Sequence, residues 1–252
     1  MTMLEVENVS FAYGRQAPVL EGVSLAVRPG THVGLVGESG SGKSTLLRLL
    51  LGLARPAGGS IRFEGALLDP GSPSFMRSYR RSAQAVFQDP YSSLDPRQTV
   101  FGIVAEPLRS LRIPGDHRGM VVAALEAVGL PGDILGRYPH EFSGGQRQRI
   151  AIARAIVPGP RLLLADEAVS ALDLSTRVRI VELFKELSRS LTLVFVSHDL
   201  GVVAALCEEI VILQKGRIVE SGRTRDILST PQHPYTRALL RSVPRMPAPG
   251  AA

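Results

Sequence analysis

A glycine-rich run at residues 37–44 has the residue types of a phosphate-binding loop. The run Gly37-Glu38-Ser39-Gly40-Ser41-Gly42-Lys43-Ser44, followed by Thr45, fits the pattern G-x-x-x-x-G-K-S/T at each fixed position. Glycines let the backbone aim its N–H groups at phosphate oxygens, and a helix that begins after the loop adds the positive end of its dipole. Lys43 would reach the β- and γ-phosphates, and Ser44 would hold Mg²⁺ through its hydroxyl. The alternative is a Gly/Ser turn before a helix. The loop does not distinguish ATP from GTP.

Two adjacent carboxylates, Asp166 and Glu167, follow an apolar run at residues 162–165. Adjacent side chains at the end of a strand point in opposite directions, so we expect the two groups to have different tasks. Asp166 would face the metal, and Glu167 would polarise an attacking water as a general base. The alternative is an acidic pair that caps a helix.

His198 follows a second apolar run, at residues 191–196. Ligands of open α/β sheets bind at the carboxyl ends of the strands. A lone histidine is more often structural or exposed, but this position predicts a contact with the γ-phosphate.

The elements that must position these residues are short strands joined by helices. Residues 33–36 form an apolar strand that leads directly into the glycine-rich loop, and residues 44–53 have the pattern of a helix. The apolar runs before Asp166 and His198 are uniformly hydrophobic, which indicates a parallel sheet covered on both faces. Strand, loop and helix therefore occur in the order that a phosphate site requires.

Other segments indicate an insertion and a separate group of strands. Residues 4–9 and 23–27 alternate as short strands do, whereas residues 86–160 turn loop-like and then helical. Residues 210–219 predict a hairpin that turns at Lys215-Gly216. The chain becomes proline-rich after about Asp226, and its last residues, 246–252, are expected to fray.

Composition bounds the class of protein and its partners. The chain has 252 residues, a net charge of +6 and 5% aromatic residues, with no tryptophan. The basic residues are nearly all arginines and are scattered, so we expect no nucleic-acid partner. The single cysteine, Cys207, fits a reducing compartment and is expected to be a buried small residue. No signal peptide and no apolar stretch of membrane-spanning length is evident, which predicts a soluble, cytoplasmic chain.

A further motif, Phe142-Ser143-Gly144-Gly145-Gln146, opens a helix for which Ser143 is a plausible cap. This helix start is a second anion site, and one chain cannot fold both anion sites onto one nucleotide. The glycine-rich loop, this motif and Asp166-Glu167 follow one another in this order along the chain. Over residues 1–225 this set of motifs resembles the ABC ATPase family.

The resemblance implies roles for the remaining residues. Tyr13 would stack on adenine, although it could be a core aromatic. Gln88 would sense Mg²⁺ and water as the Q-loop glutamine and link to a membrane subunit, although it could be a solvated loop residue. Asp173 would contact the dimer partner, and the signature residues Ser143 to Gln146 would close over a nucleotide held by the partner's loop. ATP and Mg²⁺ are the implied cofactors, with Ser44, Gln88 and Asp166 at the metal.

The implied fold is α/β, a P-loop NTPase (RecA-like) core with a mainly parallel sheet, an N-terminal antiparallel β subdomain and an inserted α-helical signature subdomain. We expect the nucleotide-binding domain to span residues 1–225, with its helical part at about 88–160, and an extension to follow at 226–252. The implied partners are a paralogous ATPase subunit (a heterodimer, with a homodimer as the alternative), two permease subunits and, indirectly, a solute-binding protein. The chain would act at the cytoplasmic face of the membrane.

Finer features resemble the second ATPase subunit of dipeptide, oligopeptide and nickel importers. These are residues 87–97, Tyr138-Pro139 and the tail His233-Pro234-Tyr235. Ala168 stands where the wider family usually has proline, a weak hint of nickel. The alternatives are a soluble ABC ATPase acting on nucleic acid or ribosomes, and a catalytically silent subunit. The cargo and the direction of transport follow from the resemblance alone.

Overall fold

The computed structural model describes residues 2–14, 17–89 and 93–242. Residues 90–92, part of the importer-like segment, and the tail at 246–252 lie outside the described residues. No helix in the described ranges is both long enough and apolar enough to cross a membrane.

A six-stranded sheet forms the centre of the fold. Its strand order is β10-β9-β3-β8-β7-β6, and all neighbours are parallel except the β9–β10 hairpin. The strands are β3 (Val33–Val36), β6 (Ala83–Val86), β7 (Leu162–Asp166), β8 (Thr192–Ser197), β9 (Glu209–Gln214) and β10 (Arg217–Arg223). The predicted hairpin is confirmed, with Lys215 and Gly216 at positive φ in its turn.

The register of this sheet brings four strand ends to one edge. Val36 of β3 pairs with Ser197 of β8, Asp166 of β7 pairs with Val196, and Val86 of β6 pairs with Ala165. The glycine-rich loop, Gln88, Glu167 and His198 therefore all follow strands at the carboxyl edge of this sheet, as predicted for the loop, Glu167 and His198.

Both faces of the sheet are buried. Successive residues of β7, such as Leu163 and Leu164, belong to different hydrophobic clusters, one on each side of the sheet. The uniformly apolar strands follow from this double burial.

One face packs against an antiparallel sheet and the helix after the glycine-rich loop. The strand order of this second sheet is β2-β1-β4-β5, formed by β1 (Leu4–Phe11), β2 (Leu20–Val27), β4 (Gly58–Phe63) and β5 (Ala66–Leu67). The helix α1 (Lys43–Leu50) buries Leu46, Leu47, Leu49 and Leu50 between the sheets. A helix α2 (Pro73–Ser82), capped by Ser72, leads into β6.

The chain between β6 and β7 is the helical insertion. It contains α3 (Val100–Val104), α4 (Glu106–Ser110), α5 (His117–Ala127), the 3₁₀ turns Gly132–Gly136 and Pro139–Glu141, and α6 (Gly144–Ile156). Ser143 caps α6 as predicted, because its hydroxyl accepts from the Gln146 N–H at 3.3 Å. Two further helices, α7 (Leu174–Leu187) and α8 (Leu200–Leu206), lie with the insertion on the face of the six-stranded sheet opposite the antiparallel sheet. The predicted fold class is confirmed.

The carboxyl-terminal part adds α9 (Thr224–Ser229) and α10 (Pro234–Ser242) to this face. Tyr235, Leu239 and Leu240 of α10 pack against the hydrophobic cluster of the helical side. Cys207, at the end of α8, is buried as predicted, and burial raises the pKa of its thiol.

Candidate functional site

The glycine-rich loop joins β3 to α1 in a conformation that needs glycine. Gly42 has φ 108°, in the left-handed region, and a Cβ at Gly37 would lie 2.2 Å from the Leu213 carbonyl oxygen. The first amides of α1 have no partner within their own helix and point along its positive dipole end. The loop is thus shaped as an anion cradle.

Lys43 is folded back onto this loop. Its Nζ donates to the Gly37 carbonyl at 2.6 Å and to the Glu38 carbonyl at 2.9 Å. Burial lowers the pKa of Lys43, and the nearby carboxylates Glu167 and Asp166 oppose this shift. Lys43 therefore stays beside the loop as a buried cation.

Asp166 ends β7 and is largely buried. Burial and the Glu167 charge raise its pKa, while Lys43 and a hydrogen bond with the Ser44 side chain lower it. Its Oδ1 atom is buried without a hydrogen-bond partner among the described residues. A buried, unpartnered carboxylate oxygen beside the Ser44 hydroxyl fits the oxygen ligands that Mg²⁺ prefers, directly or through water.

Glu167 departs from the strand geometry expected of it. Its φ is +44°, so it lies outside β7 in the left-handed region, and the alternation of side chains along a strand does not apply to it. Both carboxylates instead act electrostatically on Lys43. The Glu167 N–H donates to the Val196 carbonyl at 2.9 Å, which fixes the turn after the strand.

His198 and Gln88 flank this pair of carboxylates. The Nδ1 atom of His198 lies 3.3 Å from the Glu167 Oε1 atom, and Gln88 Nε2 donates to the Ser170 hydroxyl at 3.3 Å. Ser170 in turn donates to the Glu167 carbonyl at 2.9 Å. Glu167 is thus held through its side chain by His198 and through its backbone by Ser170.

Tyr13 lies on the other side of the loop. Its hydroxyl is 3.3 Å from the Thr45 hydroxyl, and its ring makes an edge contact with Phe11. Tyr13 is 40% exposed.

One cavity of about 350 Å³ brings the glycine-rich loop together with Gln88 and Glu167, whereas Asp166, His198 and Tyr13 are not among its lining residues. Its lining consists of Val19, Ser39, Gly40, Gly42, Lys43, Ser44, Thr45, Gln88 and Glu167. The signature residues Ser143 to Gln146 do not contribute to it.

The signature forms a second group with Asp173. A Cβ at Gly145 would lie 2.4 Å from Cγ2 of Thr176, so the start of α6 packs against the start of α7. Asp173 caps α7 by accepting from the Thr176 N–H at 3.0 Å. Hydrogen bonds with Ser175 and Thr176 lower the pKa of Asp173. Asp is a preferred N-cap residue, so the capping contact of Asp173 had a signal in the sequence.

Two functional candidates were missed by the sequence reasoning. Gln148 is fully buried and donates to the Ala168 carbonyl at 2.7 Å, and Tyr235 accepts a hydrogen bond from the Glu38 N–H at 2.9 Å. A polar residue on the apolar face of α6 was the available signal for Gln148. The Tyr235 contact spans 197 residues of chain and left no local signal.

Comparisons with known proteins agree with this geometry. Residues 20–170 match the ABC transporter family, and residues 219–251 match the oligopeptide/dipeptide transporter C-terminal region. The glutathione import ATP-binding protein GsiA of Escherichia coli K12 is 49% identical over 234 residues, which is 91% of this chain. GsiA of Shigella boydii is 48% identical over 235 residues. The chain spans 38% of the length of these relatives.

Two solved structures resemble the fold. CbiO1 of Clostridium perfringens, described as part of an ABC transporter complex, matches with a TM-score of 0.82 at 28% identity over 90% of this chain and 91% of its own. The ATP-binding cassette MJ0796, solved as a dimer with ADP and Pi, matches with a TM-score of 0.78 at 30% identity over 88% of this chain and 99% of its own. The chain therefore belongs to the ABC transporter family and carries that family's ATPase domain, whose cofactors are ATP and Mg²⁺.

Proposed function

We propose that the chain hydrolyses ATP as a subunit of an ABC importer for peptides. The observation that carries this proposal is the convergence of the glycine-rich loop, Lys43, Gln88 and Glu167 on one cavity. The loop amides and Lys43 bind the phosphates, Tyr13 stacks on the base, and Ser44, Asp166 and Gln88 hold Mg²⁺. The bound metal supplies charge neutralisation at the phosphate oxygens.

Glu167 is the general base in this proposal. Its carboxylate accepts the proton of the attacking water, and His198 orients that carboxylate across 3.3 Å while its exposed ring remains available to the γ-phosphate. The side chain of Glu167 is 20% exposed, so water reaches it within a partly desolvated site. A positioned general base contributes about 10²–10⁴ to the rate.

A second ATPase subunit completes the site. Because the signature group lies outside the cavity, we propose that it closes over the nucleotide of a partner, with Asp173 at the contact. The partner is a paralogous ATPase subunit or a second copy of this chain. The domain division at residue 225, with the helical part at 88–160, belongs to this proposal.

The membrane partners are two permeases, contacted beside the Q-loop on the cytoplasmic face. A cavity of about 430 Å³ lies between the core and the helical insertion, and Phe87, next to Gln88, lines it. Phe87 is 41% exposed and Leu53, across the cavity, is 54% exposed. Exposed apolar side chains around a concavity are typical of a protein-binding site.

The cargo follows from the relatives. Similarity to the oligopeptide/dipeptide transporter region and to a glutathione importer supports a short peptide, delivered by a solute-binding protein. Nickel, the other cargo that the sequence suggested, has no support from these relatives. None of them favours action on nucleic acid or ribosomes.

Glu167→Gln tests the catalytic proposal. The amide cannot accept the proton, so we expect ATP to remain bound and hydrolysis to fall by about 10²–10⁴. Size-exclusion chromatography with light scattering should show an ATP-dependent dimer, formed with a second copy or with the paralogous subunit expressed beside it.

Glu126→Gln, on the exposed side of α5, is the matched control and should leave turnover unchanged. Turnover at the wild-type rate in Glu167→Gln would remove Glu167 from the role of base.

Uptake into vesicles tests the cargo. The chain would be reconstituted with its permeases and solute-binding protein, and labelled glutathione, a dipeptide and Ni²⁺ would be offered separately. ATP-dependent accumulation of a peptide supports the proposal, whereas accumulation of Ni²⁺ alone, or of none of the three, contradicts it.

A further inference from the structure

The carboxyl-terminal helix α10 is tied to the nucleotide side of the fold. Its approach is fixed by Glu220 of β10, whose carboxylate accepts from the Gln232 N–H at 2.8 Å and from the His233 N–H at 3.1 Å. The Tyr235 N–H then donates to the His233 Nδ1 atom at 3.2 Å. These bonds set the start of the helix and the direction in which Tyr235 leaves it.

Tyr235 reaches the glycine-rich loop. Its hydroxyl oxygen accepts from the Glu38 N–H at 2.9 Å, and desolvation by burial raises the pKa of the phenol, so it stays neutral. The ring packs against the hydrophobic cluster beneath it. Packing fixes the ring, and the hydroxyl adds one directed bond to the loop.

The Glu38 N–H belongs to the Gly37–Glu38 peptide unit, which also binds Lys43. Gly37 contributes the carbonyl of this unit, and that carbonyl accepts from Lys43 Nζ at 2.6 Å. The N–H and C=O of a trans peptide point in opposite directions. One rigid unit therefore links the Tyr235 hydroxyl on one side to the Lys43 ammonium on the other.

This peptide unit needs external support. Gly37 has no side chain to restrict it, and a Cβ there would collide with the Leu213 carbonyl oxygen. A rotation of the unit would turn its carbonyl away from Lys43. Hydrogen bonds in series also polarise one another, so the bond at the N–H strengthens the bond at the carbonyl.

We propose that Tyr235 is a positioning residue for the nucleotide site. It holds the Gly37–Glu38 peptide, and through it Lys43, in the arrangement that receives the phosphates. The carboxyl-terminal extension is thereby part of the ATP-binding apparatus. The inference rests on the proposed ATP binding and gives a role to a tail residue for which the resemblance supplied none.

Tyr235→Phe tests this positioning role, because the variant keeps the ring and removes only the hydroxyl. Loss of one neutral hydrogen bond should weaken binding of a non-hydrolysable ATP analogue with Mg²⁺ by about three- to tenfold. The effect belongs to binding, so KM should rise while kcat stays near the wild-type value. Hydrogen exchange of the Glu38 amide, followed by NMR, should accelerate.

Two further variants separate the hydroxyl from the packing. Tyr138→Phe removes a hydroxyl from another half-exposed tyrosine, at 40% exposure, and should change neither affinity nor the Glu38 exchange rate. Tyr235→Ala removes the ring as well and should bind the analogue no more tightly than Tyr235→Phe.

The outcomes distinguish this inference from the proposed function. If the wild-type chain fails to bind the analogue, the proposed function itself fails. If the wild type binds and Tyr235→Phe binds equally well, or if only Tyr235→Ala is impaired, Tyr235 has a packing role and the inference is overturned.

Discussion

At the scale of single residues, Asp166 shows a conflict between stability and function. Its side chain is half-buried and lies near the Glu167 charge, and its Oδ1 atom is buried without a hydrogen-bond partner among the described residues. Its pKa is raised in the folded chain, so ionisation of Asp166 opposes folding once the pH exceeds the ordinary value of 3.8. Sites built to bind ions commonly carry such a cost.

We therefore expect Asp166→Asn to raise the thermal stability of the nucleotide-free chain while abolishing Mg²⁺-dependent hydrolysis. A gain of about 1 kcal/mol would raise the unfolding midpoint by about 2–4 °C. The gain should be largest at pH above the folded pKa of Asp166, shrink as the pH falls through that value, and vanish below 3.8, where the carboxyl is protonated in both states.

Calorimetry at several pH values measures the gain in stability of Asp166→Asn, with Asp133→Asn at an exposed position as the control. A loss of stability in Asp166→Asn would mean that attraction to Lys43 outweighs burial.

Residue types and spacing predict that the glycine-rich loop and the ends of two apolar strands lie together at one edge of the sheet. The glycine-rich pattern and the ends of apolar strands locate Lys43, Asp166 and His198, because parallel strands end at one edge. The orientation of Glu167 was not predictable in the same way. Its left-handed φ arises from bonds to Val196 and Ser170, and these contacts depend on the folded sheet.

At the scale of elements, α6 is connected to the turn that carries Glu167. Gln148 lies on its buried face and donates to the Ala168 carbonyl, one residue after Glu167. A non-glycine residue at positive φ costs about 1–3 kcal/mol and persists only where its surroundings hold it. Gln148 and Ser170 supply that support from opposite sides of the turn.

We expect Gln148→Leu to lower kcat on the order of tenfold by loosening Glu167, with KM for ATP near the wild-type value. The glycine-rich loop makes its own contacts, so nucleotide affinity is spared. Steady-state kinetics and a nucleotide titration measure the two effects.

Gln98→Leu, in a loop of the insertion, is the control and should change neither parameter. A rise in KM at unchanged kcat in Gln148→Leu would contradict the assignment.

The sequence predicts the strands that are buried on both faces, but not the elements that depend on contacts with distant parts of the chain. Uniform apolar runs gave β7 and β8 to within one residue, because burial on both faces demands them. The strand β6, with sequence AQAV, was missed, since it is defined by its pairing with β7 and carries little apolar pattern of its own. The docked helix α10 was also missed, because its support comes from Glu220 and from the core.

At the scale of the whole molecule, the functional residues form two groups. The cavity group surrounds Lys43, and the signature group joins Gly145 to Asp173 through Thr176. Within one chain the signature group is outside the cavity. If each group serves a different nucleotide, defects in the two groups should complement each other between chains.

Mixing variant chains tests this complementation in the Glu167→Gln background, where ATP should hold a dimer together. Adding Lys43→Ala removes phosphate binding from one chain, and adding Ser143→Arg places a bulky side chain at the start of α6 in another. Each double variant alone should stay monomeric with ATP.

Mixed together, the two double variants can build one intact site, from the loop of the Ser143→Arg chain and the signature of the Lys43→Ala chain. We expect an ATP-dependent heterodimer, detected by co-purification of differently tagged chains. The Ser143→Arg chain should also bind ATP as a monomer with unchanged affinity, because its cavity is complete. Two results would contradict this arrangement, in which the signature of one chain closes over the nucleotide of the other. They are a lower ATP affinity of the Ser143→Arg chain, and a mixture that stays monomeric while Glu167→Gln alone dimerises. Either result would mean that the signature acts within its own chain.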